Sequence, residues 1–293
     1  MNFTCIDKSN FNKVIKFLAL GFKWKDDRIL QVKDYLLNSN KNEEFYGFVI
    51  FEESEKILGA ILTPVQFRFK NQKVISLMAW FINKEKRGIL SLNFALYFIN
   101  FLKTRNFIIT DYTPSKAVMK ILRHLKFSEM KVITRRNLLF LNPLRLIKSC
   151  FVKQKYKIDS ISWKNANSFF KDANQGDMNL YSITFKNHKT FFIGKKIILR
   201  KKFCKYVFKI PVFRVFWIQS ENFVLNSWHD FCFSIFKDLN FLLIYVDIRD
   251  KRNSKFKKNN YFFYDPNYFI FDQQNSHNFI PAIGSELALK FDE

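Results

Sequence analysis

Arg87 and Gly88 are the residues of this chain best suited to hold a phosphate. They lie in FINKEKRGILSLNF (residues 81–94), where an apolar run stops, charged residues follow and helical spacing begins. The 293 residues include only seven glycines, and one of them stands directly behind an arginine here. A strand that ends in a basic, glycine-bearing turn and opens a helix offers an anion unpaired N–H groups and the positive end of the helix dipole. Arg87 would add a charged fork for a phosphate oxygen, and Gly88 would let the backbone come close to it. An exposed basic turn whose glycine only relieves strain would have the same sequence.

Other groups that could do chemistry are few. Asp111 closes the apolar run FIITDY (residues 107–112) and could take a proton from a substrate, or it could cap the helix that follows. Ser76, inside KVISLMAWFI (residues 73–82), could relay a proton through water or be a core hydroxyl. Glu52 and Glu53 close a turn, and His124 reads as a surface histidine on a helix. The four histidines form no HxH or HxxxH pair, and Cys5, Cys150, Cys204 and Cys232 are far apart, so no metal site is expected. With no basic segment and apolar core at the start of the chain, neither a signal peptide nor a disulfide framework is expected, and the compartment read from this is the cytoplasm.

These residues need elements to position them. Residues 10–20 read as a helix capped by Asn10, and 26–38 as a second helix with acidic residues in its first turn. Three runs, 45–53, 56–69 and 73–82, read as an antiparallel meander. From Leu90, the spacing of Leu90, Phe94, Tyr97 and Phe101 predicts a helix. A strand over 107–112 follows, then a helix opened by Pro114 with Val118, Ile121, Leu122 and Leu125 on one face, then a strand over 130–141. Residues 142–157 form a basic connector. Past it a similar order returns: a helix over 163–174, strands over 178–186, 189–200 and 209–219, a helix over 226–239 and a strand over 241–247. INFLKTRNFIITDY (residues 99–112) and FSIFKDLNFLLIYVDI (residues 233–248) both pass from a helix end through Asn-Phe into an apolar strand with an aspartate, Asp111 or Asp247. The tail, including YFFYDPNYFIFDQQ, reads as edge strands. The expected fold class is therefore α/β in the α+β sense, a mixed sheet flanked by helices. Two tandem lobes, 1–141 and 158–293, would lie either side of the connector.

The formal net charge is +24. A surplus of this size fits a polyanionic partner, and it equally fits the lysine drift of an AT-rich coding sequence. KKIILRKKFCKYVFK (195–209) and RDKRNSKFKKNN (249–260) interleave charge with aromatics, but they read better as a strand with a solvated face and a loop than as a nucleic-acid surface. Peripheral contact with an anionic membrane stays open. No apolar run reaches the roughly 20 residues of a spanning helix.

The order of elements around Arg87 resembles the GNAT superfamily of acyl-CoA-dependent N-acyltransferases. In that family the central strand runs into a signature like V-x-P-E-Y-R-G-x-G-x-G/A. Here Ile82 to Gly88 follow its first half, while Leu90 and Leu92 stand where the family prefers small residues. Ser115, Ala117 and Phe127 follow a later family pattern in which Lys126 replaces a glycine and Leu122 a tyrosine that often acts as general acid. The resemblance covers about residues 1–140. It implies acetyl-CoA or another acyl-CoA as co-substrate. Trp80, Phe81 and Ile82 would line the pantetheine arm, the loop of Arg87, Gly88, Ile89, Leu90 and Ser91 would hold the pyrophosphate, and Ser115 would lie beside the thioester. Asp111 or Ser76 would serve as base for a small-molecule amine acceptor such as an amino sugar. The second half lacks an Arg-Gly loop, and Glu221 would repel a pyrophosphate, so its expected role is to shape the acceptor site, as in the two-lobed Fem-type and N-myristoyl transferases. Tyr264, Asp265 and Glu286 could line that cleft or pack in it. A catalytically inactive binding protein of this fold, or a basic nucleic-acid binder, are the alternatives.

Overall fold

Period-2 burial along the strands and three-to-four spacing along the helices sort the chain into two sheets with helices on both faces. The computed structural model describes residues 1–69, 72–111, 114–138, 156–162, 179–185, 188–203, 206–219, 228–249 and 267–271. In chain order the elements of the first part are β1 (Asn2–Ile6), α1 (Phe11–Phe22), α2 (Asp26–Ser39), β2 (Gly47–Phe51), β3 (Ile57–Leu62), β4 (Val65–Phe69), β5 (Gln72–Ser76), β6 (Met78–Ile82), α3 (Ile89–Thr104), β7 (Ile108–Asp111), α4 (Lys116–His124) and β8 (Ser128–Leu138). The later elements are β9 (Lys157–Ile161), β10 (Asn179–Phe185), β11 (His188–Phe203), β12 (Tyr206–Ile218), α5 (Trp228–Leu239), β13 (Leu243–Arg249) and β14 (Asn267–Phe271).

One sheet has the order β1-β2-β3-β6, the other β4-β5-β7-β14-β8-β13-β12-β11-β10-β9. Helices α1 and α2 cover one face of the first part, where Val14, Leu18, Val32 and Leu36 pack with Val49, Leu62, Val74 and Ile108. Helices α3 and α4 cover the other, where Phe94, Phe98 and Leu122 pack with Phe48, Ile61, Ile75 and Ile109. Leu180, Ile193 and Phe216 from the later strands join the α1–α2 cluster, so the later part of the long sheet packs onto the same core. Its opposite face packs on α5 through Phe192, Phe213, Val215 and Phe231.

Several expectations change. The strands expected over 56–69 and 73–82 each break in two, at Thr63-Pro64 and at Leu77, and the halves belong to different sheets. Strands β1 and β9 were not foreseen. Asn10 holds the N-cap position of α1, but its side chain makes no capping bond. It donates from Nδ2 to the Cys5 carbonyl, and Asp7 folds the turn by accepting from the Ser9 and Asn10 amides. The tail segment Asn267–Phe271 is no edge strand: β14 lies between β7 and β8, antiparallel to both. The expected helix over 163–174 and most of the connector lie outside the described residues, as do Glu221, Tyr264, Asp265 and Glu286.

The two Asn-Phe segments match in geometry. Asn106 follows α3 with φ 58° and Asn240 follows α5 with φ 61°, both left-handed, a conformation asparagine tolerates better than most residues. Each helix then leads into a strand, β7 or β13, that pairs in parallel with an earlier one, β5 or β12. Asp111 ends β7, whereas Asp247 lies inside β13.

Candidate functional site

The site is built by a strand that changes partners. Strand β5 runs parallel to β7, with Val74, Ile75 and Ser76 opposite Ile108, Ile109 and Thr110. The last link is the Leu77 N–H donating to the Thr110 carbonyl at 2.7 Å. Two residues on, Ala79 takes φ 53°, a left-handed turn that few non-glycine residues adopt. The chain then continues as β6, which pairs antiparallel with β3 and forms the edge of the smaller sheet. Strands β6 and β7 therefore part company just beyond Leu77. The edge of β6 turned away from β3 pairs with no strand among the described residues.

The side chains of β6 alternate as the pleat requires. Trp80 packs edge-on against Phe98 of α3, ring centroids 5.3 Å apart. Phe81 lies on the opposite face against Phe17 and Phe22 of α1. Helix α1 comes close here because Gly21 has no side chain; a β-carbon there would stand 2.8 Å from the Phe81 ring. Ile82 is buried.

A single 3-10 turn, Lys84–Lys86, separates β6 from the Arg-Gly pair. Arg87 folds back on the strand it follows. Its Nε donates to the Ile82 carbonyl at 3.1 Å, and its guanidinium lies 5.9 Å from the centre of the Phe81 ring. The fork is thus fixed by its inner nitrogen while its outer nitrogens stay available, and Arg87 pairs with no carboxylate among the described residues. Gly88 is the N-cap of α3 with φ 97° and ψ −124°, a conformation essentially reserved for glycine. Nothing lies within 4 Å of where its β-carbon would be, so the backbone angle, not crowding, demands glycine. The first backbone bonds of α3 run from Ser91 and Leu92 to the Gly88 carbonyl. The Ile89 and Leu90 amides stand ahead of them, at the positive end of a 16-residue helix. Ile89 is 79% exposed and Leu90 packs partly on the α3–α4 core. The expected loop from Arg87 to Ser91 is thus one continuous cradle beside the parted strands, with residues that fit a pyrophosphate.

The remaining candidates fall apart from one another. Asp111 is 8% exposed at the end of β7 and pairs in register with Phe269 of β14. Ser115, not Asp111, caps α4: its Oγ accepts from the Val118 amide. Ser76 is 1% exposed. Strand alternation puts Ser76 on the α1–α2 face with Val74, and Asp111 on the α3–α4 face with Ile109, so the two do not form one relay. Leu122 is wholly buried in the α3–α4 core and can give no proton. Lys126 takes φ 62°, the left-handed conformation that explains why a glycine would suit this position. Ala79 and the parting of β5 from β6 carry no glycine or proline signal and were missed. Among the described residues no three His, Cys, Asp or Glu side chains are grouped to hold a metal ion, and no helix is long and apolar enough to cross a membrane.

Solved structures share this fold. A GCN5-related N-acetyltransferase from Anabaena variabilis superposes with a TM-score of 0.58 at 9% identity, over 92% of this chain and 72% of that one. The fold is that of a GCN5-related N-acetyltransferase. A conserved protein of unknown function from Enterococcus faecalis has a TM-score of 0.52 at 10% identity, over 92% of this chain and 72% of its own, and shares this GNAT fold. A second GCN5-related N-acetyltransferase, from Kribbella flavida, has a TM-score of 0.51 at 9% identity, over 92% of this chain and 70% of its own. No protein-family model and no curated protein matches the chain. The GNAT likeness therefore rests on the path of the backbone.

Proposed function

We propose that the chain is an acyl-CoA-dependent N-acyltransferase. The observation that carries this reading is the parting of β6 from β7 with the Arg87-Gly88 cradle at the end of β6. A pantetheine arm fits along the open edge of Trp80, Phe81 and Ile82, although the Ile82 carbonyl already accepts from Arg87. The outer guanidinium nitrogens of Arg87 and the amides of Ile89 and Leu90 would bind the pyrophosphate, with Ser91 closing the turn. The acyl-CoA supplies the activated thioester.

Asp111 is the candidate base, placed to take a proton from the ammonium group of an acceptor; Ser76, on the other face, is better suited to packing or to a separate water contact. The later elements β9 to β13 form a second lobe that closes on the first and shapes a pocket for a small-molecule amine, while β14 returns to the first. The matched α3–β7 and α5–β13 crossovers support that division. The acyl group is acetyl or longer, and the setting is cytoplasmic. A second reading, a binding protein that has lost turnover, is favoured by the burial of Leu122 where the family places an acid.

A thermal-shift titration with acetyl-CoA and longer acyl-CoAs on wild type and Arg87→Ala separates these. Ligand at about 100 times its dissociation constant adds about 2.7 kcal/mol to the folded state. A wild-type shift that weakens in the variant supports a CoA site at this cradle, and amine-dependent release of free thiol would establish turnover. No shift with any thioester would refute the acyltransferase reading and put the binding-protein reading first.

A further inference from the structure

Helix α3 is apolar on both of its sides. No charged residue occurs between Ile89 and Leu102, and Phe94, Phe98 and Leu102 already fill the side that faces the sheet. On the opposite side Ile89 is 79% and Leu96 40% exposed, and Leu92, partly exposed, stands between them. The spacing i, i+3, i+7 lines the three up along about 10 Å of helix. A helix that is hydrophobic all round is ordinarily covered on every side. This one keeps a bare stripe, which begins at the Arg87-Gly88 turn.

The layer around the stripe is cationic. Strand β5 runs parallel to β7 and β6 continues it, so α3 and α4 both start where the strands part, on one face of the sheet. Lys84, Lys86 and Arg87 stand exposed before α3; α4, with no acidic residue, exposes Lys116 and Lys120, and the exposed Lys126 follows it. The acids of these turns and helices are Glu85 and Glu129. Glu129 is taken by Arg123 at 2.8 Å, and Lys86 reaches back to Glu52 at 3.9 Å. Lys84, Lys116, Lys120 and Lys126 pair with no carboxylate among the described residues.

An apolar stripe flanked by unpaired cations suits a partner that is anionic at its surface and apolar beneath it. At 79% exposure Ile89 projects from the surface and does not line a groove. A lipid headgroup layer needs no groove: apolar side chains enter it while lysines stay at the phosphates. We infer that the outer face of α3 and α4 docks on an anionic membrane surface, with Ile89, Leu92 and Leu96 among the headgroups and Lys116 and Lys120 against the lipid phosphates. The inference goes beyond the acyltransferase reading and does not rest on it. Where both hold, the cradle opens at the interface into which the chain of a long acyl-CoA partitions.

Vesicle flotation of the full chain tests it, with vesicles of phosphatidylcholine alone and of phosphatidylcholine and phosphatidylglycerol in equal parts. The anionic vesicles should carry the protein, the neutral ones should not, and added salt should weaken the binding. Lys116→Glu with Lys120→Glu should lower the partition coefficient about tenfold or more. Glutamate in the first turn of α4 suits the helix dipole, so this variant folds. Leu96→Gln, exposed and a good helix former, should lower the coefficient about three- to fivefold. Lys8→Glu with Lys41→Glu, in the turns before α1 and after α2, makes the same change in net charge away from this face and should cost less than about twofold. An equal loss in that control would show only the field of the whole chain and overturn the inference, and so would binding that Leu96→Gln leaves unchanged. Absence of vesicle binding, with soluble polyglutamate bound by wild type and lost in the Lys116-Lys120 variant, would assign the face to an acidic protein and overturn it too. Vesicle binding by a chain that no acyl-CoA stabilises keeps the membrane face and removes the acyltransferase reading; acyl-CoA binding without vesicle binding does the reverse.

Discussion

Replacing Lys126 with glycine should stabilise the protein. Lys126 ends the turn after α4 with φ 62°, and its amide donates to the Arg123 carbonyl at 3.0 Å. The side chain is exposed, so truncating it removes no packing. An L-residue in the left-handed region costs about 1–2 kcal/mol, and glycine escapes that cost. Against it, glycine frees the unfolded chain by about 0.5–1 kcal/mol. The difference leaves a net gain of about 0.5–1 kcal/mol, or a rise in Tm of about 2 °C. Lys126→Ala keeps the β-carbon and so controls for the loss of charge; it should leave Tm within about half a degree of wild type. Paired urea melts at one ionic strength read both variants through the shift in midpoint at constant slope. A drop in midpoint for Lys126→Gly, or equal gains for glycine and alanine, would refute the argument, because either result would put the effect in the lost lysine and not in the backbone.

Gly88→Ala tests the opposite case. With open space around its β-carbon and φ 97°, the substitution should cost about 1–3 kcal/mol by backbone strain and weaken acyl-CoA binding, read by urea melts and by the thermal-shift titration; unchanged values for both would mean that the turn adopts an ordinary conformation. Asp7 accepts from the Ser9 hydroxyl above all, and from the Asn10 and Ser9 amides, and these bonds hold its carboxyl below its ordinary value of 3.8. A depressed pKa contributes stability above pH 3.8 that is lost as pH falls through the folded value, so the difference in stability between wild type and Asp7→Ala should shrink in that acid range and be constant at neutral pH.

Much of this architecture was legible from spacing. The helices α1, α2, α3 and α4 fall within two or three residues of their expected bounds, because each buries one face against a sheet. The turn at Gly88 was legible too, since a glycine in a glycine-poor chain marks a backbone that needs it. What spacing could not show was partner choice. The run over 56–69 was expected as one strand although Pro64 stands at the break between β3 and β4, whereas Leu77 and Ala79 carry no breaker, and only the exchange of β7 for β3 as partner makes the chain turn there. Lys195 reads as solvated in KKIILRKKF because alternation gives two faces without saying that a second layer covers one of them. The insertion of β14 joins segments more than 130 residues apart, which no local pattern encodes.

That insertion bears on the chemistry. Asp111 sits at the end of β7, and its neighbour across the ladder is Phe269, from a strand contributed by the far end of the chain. Ile270 beside it is 1% exposed within the α1–α2 core, and the Phe271 ring lies tilted against Phe127, centroids 5.3 Å apart, on the other face. The candidate base is therefore held in a seam between early and late segments, and the site cannot be complete until β14 docks. Ile270→Ala removes buried methyl groups at this seam and should cost about 2–5 kcal/mol. If β14 holds β7 and β8 together, the cost will register locally: amide exchange should quicken along Ile108–Asp111 and Ser128–Lys131, while α2 keeps its protection. Acceleration spread evenly over the chain would instead mean that the seam opens only with global unfolding, and unchanged exchange in β7 would show that Asp111 is positioned by β5 alone.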